Sequence, residues 1–457
     1  MQATPEDAFL YISPIGYRSS SSCGYCRGKG SSQSRKSHSY FARATSMSPA
    51  SYQILVDRCW RRSGMLLYRP NQRDSCCPHY SIRLDSGRFR PTRDQRQAVN
   101  RFNKYVIGDA YSKEAARLYP RSREQARKRD TEFDLVERIH ECESVLLKRP
   151  PEPAHALVVT LEPDDFTEEK FQVYENYQRI IHQESPSSIT RDGFKRFLCS
   201  SPLRRGKYIA PDGRERQVGS FHQCYWLDGK LVAIGVLDLL PDCVSGVYFL
   251  YHESIHRFSP GKLGALREIA LAIEEGYRWW YSGFYIHTCP KMRYKMDFLP
   301  QQVLNPNTLE WVDLEQSVLE KFDSFGYLDF ERTEKGTEKD APAEKVAVPM
   351  EVEDEHQIMD EDGDGDEDEE DDDDEDEERS LFSSDMPGIP SIDEMESIDL
   401  DHIAVRLSRG YCYAGDLFEW HNESISKPES AKAMVAELVA AVGPEYIHDI
   451  CLDFRKS

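Results

Sequence analysis

Three apolar runs, Phe221 to Trp226, Leu231 to Leu239 and Val244 to His252, follow one another with only Asp228-Gly229 and Pro241-Asp242 as punctuation. Runs this short, parted by turn-forming pairs, are expected to fold as antiparallel strands. A Gly-rich turn, Ser259-Pro-Gly-Lys-Leu-Gly264, comes next. Leu263 to Gly276 then carries apolar residues at 263, 266, 269, 270 and 273, a helical spacing that Gly276 ends. A further strand, Gly283 to Thr288, empties into a cluster of His, Cys, Lys and Arg within Ser282 to Leu299. Apolar strand residues and convergent cations in so short a stretch point to a polar ligand at the strand's end. The predicted class is α/β (α+β), built on a mixed sheet.

At 457 residues the chain exceeds one ordinary core, so two domains with intervening disordered segments are expected. Its net charge of -22 is concentrated: Asp360 to Glu378 holds 17 acidic residues and two glycines, and the remainder balances at about -5. Residues 1–150 run the other way, with 28 Lys and Arg against 15 Asp and Glu. A basic first third attracts a polyanion such as nucleic acid, with a strength that falls as salt rises. Helix is expected over Thr92 to Val145, although Lys113 to Lys128 is polar enough to be a loop or an exposed helix. Pro150-Pro151-Glu152-Pro153 interrupts any helix and marks a boundary. Thr333 to Pro390 lacks the apolar content for a core.

The expected organisation is a basic, Cys-rich domain over 1–150 with a Ser/Arg-rich insert near 27–48, and a second domain over 151–332. A disordered acidic insert over 333–395 follows, then a C-terminal segment, 396–457, too short to fold alone and packing on the second domain. No long apolar stretch suggests a signal peptide or a membrane span, so the twelve cysteines are expected in a reducing, cytoplasmic or nuclear setting.

Two constellations carry chemistry. Cys23-x-x-Cys26 with Cys76-Cys77-Pro-His79 offers four thiols and one imidazole, and two-residue spacing lets both sulfurs of such a pair reach one ion. Thiolates favour zinc or an iron-sulfur cluster. Side chains of adjacent cysteines diverge, so one of Cys76 and Cys77 is expected as a ligand with His79 as fourth donor. The alternative is a set of reduced core or surface thiols. The second constellation is the turn opening the helix, where Gly261 and Gly264 would let a phosphate approach free amides and Lys262 adds charge. A glycine needed only for the turn is the plainer explanation.

Cys23-Gly-Tyr-Cys26, Asp57-Arg-Cys-Trp-Arg-Arg-Ser-Gly64, Cys76-Cys77-Pro-His-Tyr80, Gly264-Ala-Leu-Arg-Glu-Ile269 and Phe284-Tyr-Ile-His-Thr-Cys-Pro-Lys-Met-Arg-Tyr-Lys295 together resemble the eukaryotic arginyl-tRNA protein transferases of fungal type. Cys59 stands where the family has glycine, which questions any positive φ there. The resemblance implies a GNAT-like acyltransferase core, zinc or an iron-sulfur cluster at the N-terminal cysteines, and Arg-tRNA as cosubstrate. The implied reaction moves arginine to the α-amine of proteins beginning with Asp, Glu or oxidised Cys, making an N-degron for ubiquitin-dependent turnover.

Three roles are expected from the residues. Arg61 and Arg62, beside Trp60 and Ser63, suit a substrate carboxylate, since a guanidinium fork reads carboxylate geometry. His287 is the candidate for proton handling or carbonyl polarisation. Lys262, Lys291, Arg293 and Lys295 would hold acceptor-end phosphates of tRNA, with Tyr285 and Tyr294 as stacking faces. The donor arginine needs an acidic pocket, for which Glu268, Asp238 and Glu253 are available. Competing readings are a non-catalytic Cys-metal nucleic-acid-binding or redox-sensing protein and a coenzyme A-dependent acetyltransferase.

Overall fold

The computed structural model describes residues 9–20, 23, 25–26, 36–325, 328, 380–428 and 430–455. In chain order its strands begin with β1 (Leu10–Ser20), β2 (Ser37–Ser46), β3 (Arg61–Ser63), β4 (Leu66–Pro70), β5 (Tyr80–Asp85), β6 (Leu157–Pro163), β7 (Gly206–Ile209) and β8 (Glu215–Leu227). They continue with β9 (Lys230–Leu239), β10 (Cys243–Tyr251), β11 (Trp279–Tyr281), β12 (Phe284–Tyr285), β13 (Gln301–Leu304), β14 (Trp311–Asp313), β15 (Ala404–Leu407), β16 (Gly410–Tyr413) and β17 (Ile450–Asp453). Two mixed sheets result. The first runs β16-β15-β17-β1-β2-β4-β3, the second β14-β13-β5-β11-β10-β9-β8-β6, with β12 added to β5 and β7 to β8.

The three apolar runs form β8, β9 and β10, antiparallel, with Asp228 and Gly229 turning at φ of +52° and +77°. The helix Pro260–Glu275 follows and ends at Gly276, whose φ of +79° is the left-handed stop that glycine accepts without strain. β11 then returns parallel to β10, pairing Ser245 with Tyr281. The expected strand Gly283 to Thr288 is short because Gly283, at φ +78°, turns the chain away. Phe284 and Tyr285 pair with Ser81 and Tyr80 of β5 instead. β10 therefore runs on beyond Ser245 without its neighbour, and a cleft opens between them.

The domain boundary differs from the expected one. β5 lies inside the second sheet, between β13 and β11, so the change of sheet falls near residue 80 and not at 150. The expected helical region resolves into Arg93–Ile107, Asp109–Leu118, Arg123–Thr131 and Leu135–His140. Capping boxes Thr92/Gln95 and Ser122/Gln125 start the first and third. Phe102, Val106 and Ile107 share the second sheet's core with Leu263 and Leu266.

The C-terminal segment also corrects expectation, since it completes the first sheet. β17 lies between β15 and β1, parallel to both. The helix Ala431–Val442 is apolar nearly all round and buries Val435, Leu438, Val439 and Val442 in one core with Ile12, Tyr40 and Trp60. The expected insert over 333–395 is shortened at its end, because Leu381, Met386 and Met395 belong to this core too. Glu437 accepts from Ser380 Oγ at 2.5 Å and Leu381 N at 2.9 Å, anchoring the re-entry point. The acidic run Asp360 to Glu378 lies outside the described residues, as do 27–35 of the expected Ser/Arg-rich insert; from Ser37 the expected insert is instead β2, paired between β1 and β4 with Tyr40, Ala42 and Ala44 in the core. Among the described residues no helix is long and apolar enough to cross a membrane.

Candidate active site

Where β10 and β11 part, a cavity of about 80 Å³ is lined by Gly246 to Phe249 on one side and Trp280, Ser282, Gly283 and Phe284 on the other. Gly261, Ala265 and Glu268 of the helix Pro260–Glu275 form its base. Tyr294 and Lys295, from the 3-10 helix Pro290–Asp297, and Tyr25, from the loop between Cys23 and Cys26, complete the walls.

Two charged groups border this aromatic-walled space. Glu268 is 5% exposed and takes a 2.8 Å hydrogen bond from Trp280 Nε1 on Oε2. Gly246 makes room for it: a Cβ there would stand 2.9 Å from Oε2. Gly246 also sits at a register shift of β10 against β9, so bulge and notch coincide. Lys295 is 4% exposed, and its Nζ donates to the carbonyls of Ser282 and Phe284, both at 2.8 Å. The cleft thus holds one buried carboxylate and one buried ammonium among aromatic walls, a polar lining of the kind found at functional sites.

Of the sequence-predicted residues, Gly261, Tyr294 and Lys295 reach the cleft. Gly264 does not act as a phosphate cradle. A Cβ there would fall 2.6 Å from Cδ2 and 2.7 Å from Cζ of Phe249, so glycine lets the helix lie against β10. Lys262 is ion-paired with Asp94. Arg293 is exposed, and Lys291 belongs to the same 3-10 helix. Strand alternation puts Tyr285 on the face opposite Phe284, and His287 lies in the turn that follows β12. His287 Nδ1 lies 2.8 Å from Tyr285 Oη and the imidazole stacks on Phe322 at 5.1 Å, outside the cleft lining.

The expected carboxylate-reading pair is divided. Trp60 is wholly buried, its Nε1 donating to Ala441 O at 3.0 Å, which binds the C-terminal helix and leaves no face for substrate. Arg62 is closed on Asp238 by bonds of 2.6 and 2.8 Å, with Ser220 Oγ at 2.9 Å. Burial alone would lower its pKa, but the facing carboxylate raises it and keeps the guanidinium charged. Asp238 is thereby occupied as well. Ser63 ends β3 half-buried, opposite Leu66. Arg61 is different. Its Nη1 donates to Val56 O and Trp60 O, while Nε and Nη2 are buried with no hydrogen-bond partner among the described residues and the guanidinium lies 4.9 Å over the Phe284 ring.

The thiols converge more completely than spacing suggested. Sγ atoms of Cys23, Cys26, Cys76 and Cys77 all lie within 4.8 Å of one another, with Cys26 and Cys76 at 3.8 Å. Sulfurs bound about 2.3 Å from a tetrahedral zinc stand about 3.8 Å apart, so the donor set fits an ion. The hydrogen bond from Cys77 pulls the Cys23 thiol down to about 4, while burial pushes Cys76 up to about 12. Both adjacent cysteines join the group and His79 does not. Its imidazole is buried edge-on to Tyr25 at 5.0 Å and Phe284 at 5.3 Å, and burial pushes its pKa down to about 4. Sequence reasoning named Glu268 without selecting it and missed Tyr25 and Trp280. Gly246, isolated within a strand pattern, was the available signal.

The descriptions "Arginine-tRNA-protein transferase, N terminus" and "Arginine-tRNA-protein transferase, C terminus" match residues 21–97 and 169–305. The chain belongs to the arginine-tRNA-protein transferase family. Both matched segments of this transferase line the cleft, Tyr25 from the first and Gly246 to Lys295 from the second. An arginyl-tRNA–protein transferase of Drosophila melanogaster is 28% identical over 423 residues, spanning 70% of this chain and 86% of its own. Its Saccharomyces cerevisiae counterpart is 29% identical over 270 residues, 55% of this chain and 48% of its own. An aspartate/glutamate leucyltransferase of Pseudomonas fluorescens is 28% identical over 256 residues, 55% of this chain and 79% of its own.

Proposed function

We infer that this chain transfers arginine from Arg-tRNA to the N-terminal α-amine of proteins. One observation carries the reading: the cleft takes its walls from both segments that match the family. In the reaction the neutral amine attacks the ester carbonyl, an amide bond forms and the carbonyl–oxygen ester bond breaks. The tRNA hydroxyl leaves with one proton, so protons balance without a covalent enzyme intermediate. The α-amine has a pKa of roughly 7.7 to 8, which leaves a useful neutral fraction near pH 7. Alignment of amine and ester therefore supplies much of the rate, and the cleft's task is to hold both in reach. Lys295, fixed by two carbonyls at the cleft wall, is our candidate for polarising the ester carbonyl.

Acceptors beginning with Asp, Glu or oxidised Cys, and hence an N-degron role, belong to the same proposal. The leucyltransferase relative bears aspartate and glutamate in its name. Arg61, whose Nε and Nη2 find no partner among the described residues and whose guanidinium lies over Phe284, is our candidate for their side-chain carboxylate. We read β8, β9, β10, the helix Pro260–Glu275 and β11 as a GNAT-like core, supported by an antiparallel meander whose last strand parts from a parallel return. The thiol group would bind zinc or an iron-sulfur cluster. Sulfurs this close suit a single tetrahedral ion better than a cubane, which spreads its thiolates over four irons. Such a group would supply structural coordination, holding Tyr25 at the cleft. A cytoplasmic or nuclear setting fits reduced thiols.

The test is incubation of the purified protein with Arg-tRNA and an Asp-starting peptide, with acetyl coenzyme A as a parallel donor. Gain of one arginyl residue by mass is the expected result. Gain of an acetyl group, or an unchanged mass, would sink the reading. Arg61→Ala, tried on Asp-, Glu- and Ala-starting peptides, is expected to lower transfer only to the acidic two. Equal loss on all three removes the carboxylate role.

A further inference from the structure

The two aminoacyl groups named among the relatives, arginyl and leucyl, differ by one positive charge, so some group must tell them apart. Three acidic residues were open to that role from sequence. Asp238 is 0% exposed and spent on Arg62. Glu253 lies on the 3-10 helix Glu253–Phe258, exposed and taking a 3.2 Å hydrogen bond from Asn176. Glu268 lines the cleft between β10 and β11.

From this placement we propose that Glu268 reads the guanidinium of the donor arginine and confines the cleft to arginyl esters. The inference rests on the arginyl-transfer reading above and names its donor pocket. Glu268 is nearly dry, and its carboxylate is oriented by Trp280 Nε1 at 2.8 Å. Gly246 leaves the notch it occupies. A carboxylate has about four acceptor sites and matches a guanidinium fork in plane and charge. Phe249, Trp280, Phe284 and Tyr294 line the same space and offer ring faces of the kind on which a guanidinium stacks. A leucyl ester carries no cation and makes no charge-assisted hydrogen bond to that carboxylate.

The test uses the full chain and tRNA loaded with arginine or with citrulline, its neutral isostere, transferred to one Asp-starting peptide. The unsubstituted protein is expected to favour arginine by about 100-fold, the scale of hydrogen bonds to a charged group. In Glu268→Gln, which keeps an acceptor for Trp280, that ratio is expected to fall toward one while affinity for uncharged tRNA is unchanged. A ratio in Glu268→Gln equal to that of the unsubstituted protein would overturn the proposal. Competition on the unsubstituted protein gives a second readout independent of any variant's folding. Arginine methyl ester is expected to inhibit at a concentration at least tenfold below citrulline methyl ester, and equal inhibition would overturn the proposal. No transfer of either amino acid by the unsubstituted protein is a separate outcome and sinks the arginyl-transfer reading itself.

Discussion

At Gly264 a single hydrogen atom decides how closely the helix Pro260–Glu275 lies on β10. A methyl group there would overlap the Phe249 ring, which also lines the cleft, so neither side can yield without moving the site. Gly264→Ala is expected to cost about 1–3 kcal/mol, read by urea unfolding, and Phe249→Leu in the same background to recover part of it. No recovery would mean that the strain lies elsewhere. Sequence shows a glycine in a helix's first turn but not whether a ligand or a ring approaches it, which is why phosphate was the expected partner. The same limit hid the pairing of Arg62 with Asp238, 176 residues apart and brought together only by the sheets. Asp238→Asn strands a buried guanidinium and is expected to destabilise by about 3–5 kcal/mol. Full stability of that variant would show that the ion pair is dispensable.

Between elements, helix Leu135–His140 is tied to helix Pro260–Glu275 by one imidazole and one guanidinium, His140 meeting Glu274 and Arg267 donating to Ile139 O at 2.7 Å. His140 Nδ1 meets Glu143 at 2.6 Å and Nε2 meets Glu274 at 3.0 Å, while Arg267 pairs with Glu143 at 2.5 Å. Hydrogen bonds to Glu143 and then Glu274 raise the His140 pKa to about 9, against burial and the Arg267 charge. A raised folded pKa means that the native state holds the proton more tightly than the unfolded chain. Its stabilisation is therefore complete below about 6.5, declines as pH rises, and is lost above about 9. His140→Gln is expected to flatten the stability profile between those limits, measured by denaturant midpoints across pH. An unchanged profile would assign the slope to other groups. At this scale much was legible: β8, β9, β10 and the helix after them follow from local period and punctuation. The breaking of the last strand was not, because Gly283 turns the chain toward β5, a partner two hundred residues earlier. The exposed helices over 109–131 were readable only as alternatives, since a polar, basic segment carries little apolar period to decide between helix and loop.

Over the whole molecule, the chain's two ends build one sheet and its middle builds the other. β17 holds β15 and β1 together, so removing residues from Pro444 onward would expose strand edges on both sides of the gap and uncover the helix Ala431–Val442. That truncation is expected to aggregate or to lose sheet signal in circular dichroism; a soluble product with native sheet content would refute it. The two sheets are also tied by the thiol group, whose first pair lies between β1 and β2 and whose second lies between β4 and β5. Thr288 Oγ1 donates to Cys77 Sγ at 3.5 Å, and Tyr25 carries the tie into the cleft wall. Metal held by all four sulfurs would thus fix the active-site wall, and its binding free energy would count toward folding. Metal withdrawal by a thiol-competing chelator is expected to lower the melting temperature by several degrees and to lower arginyl transfer in parallel, with sheet content retained. Both values are expected to return when metal is restored under reducing conditions. Transfer that survives complete metal removal, verified by elemental analysis, would show that the wall stands without the ion.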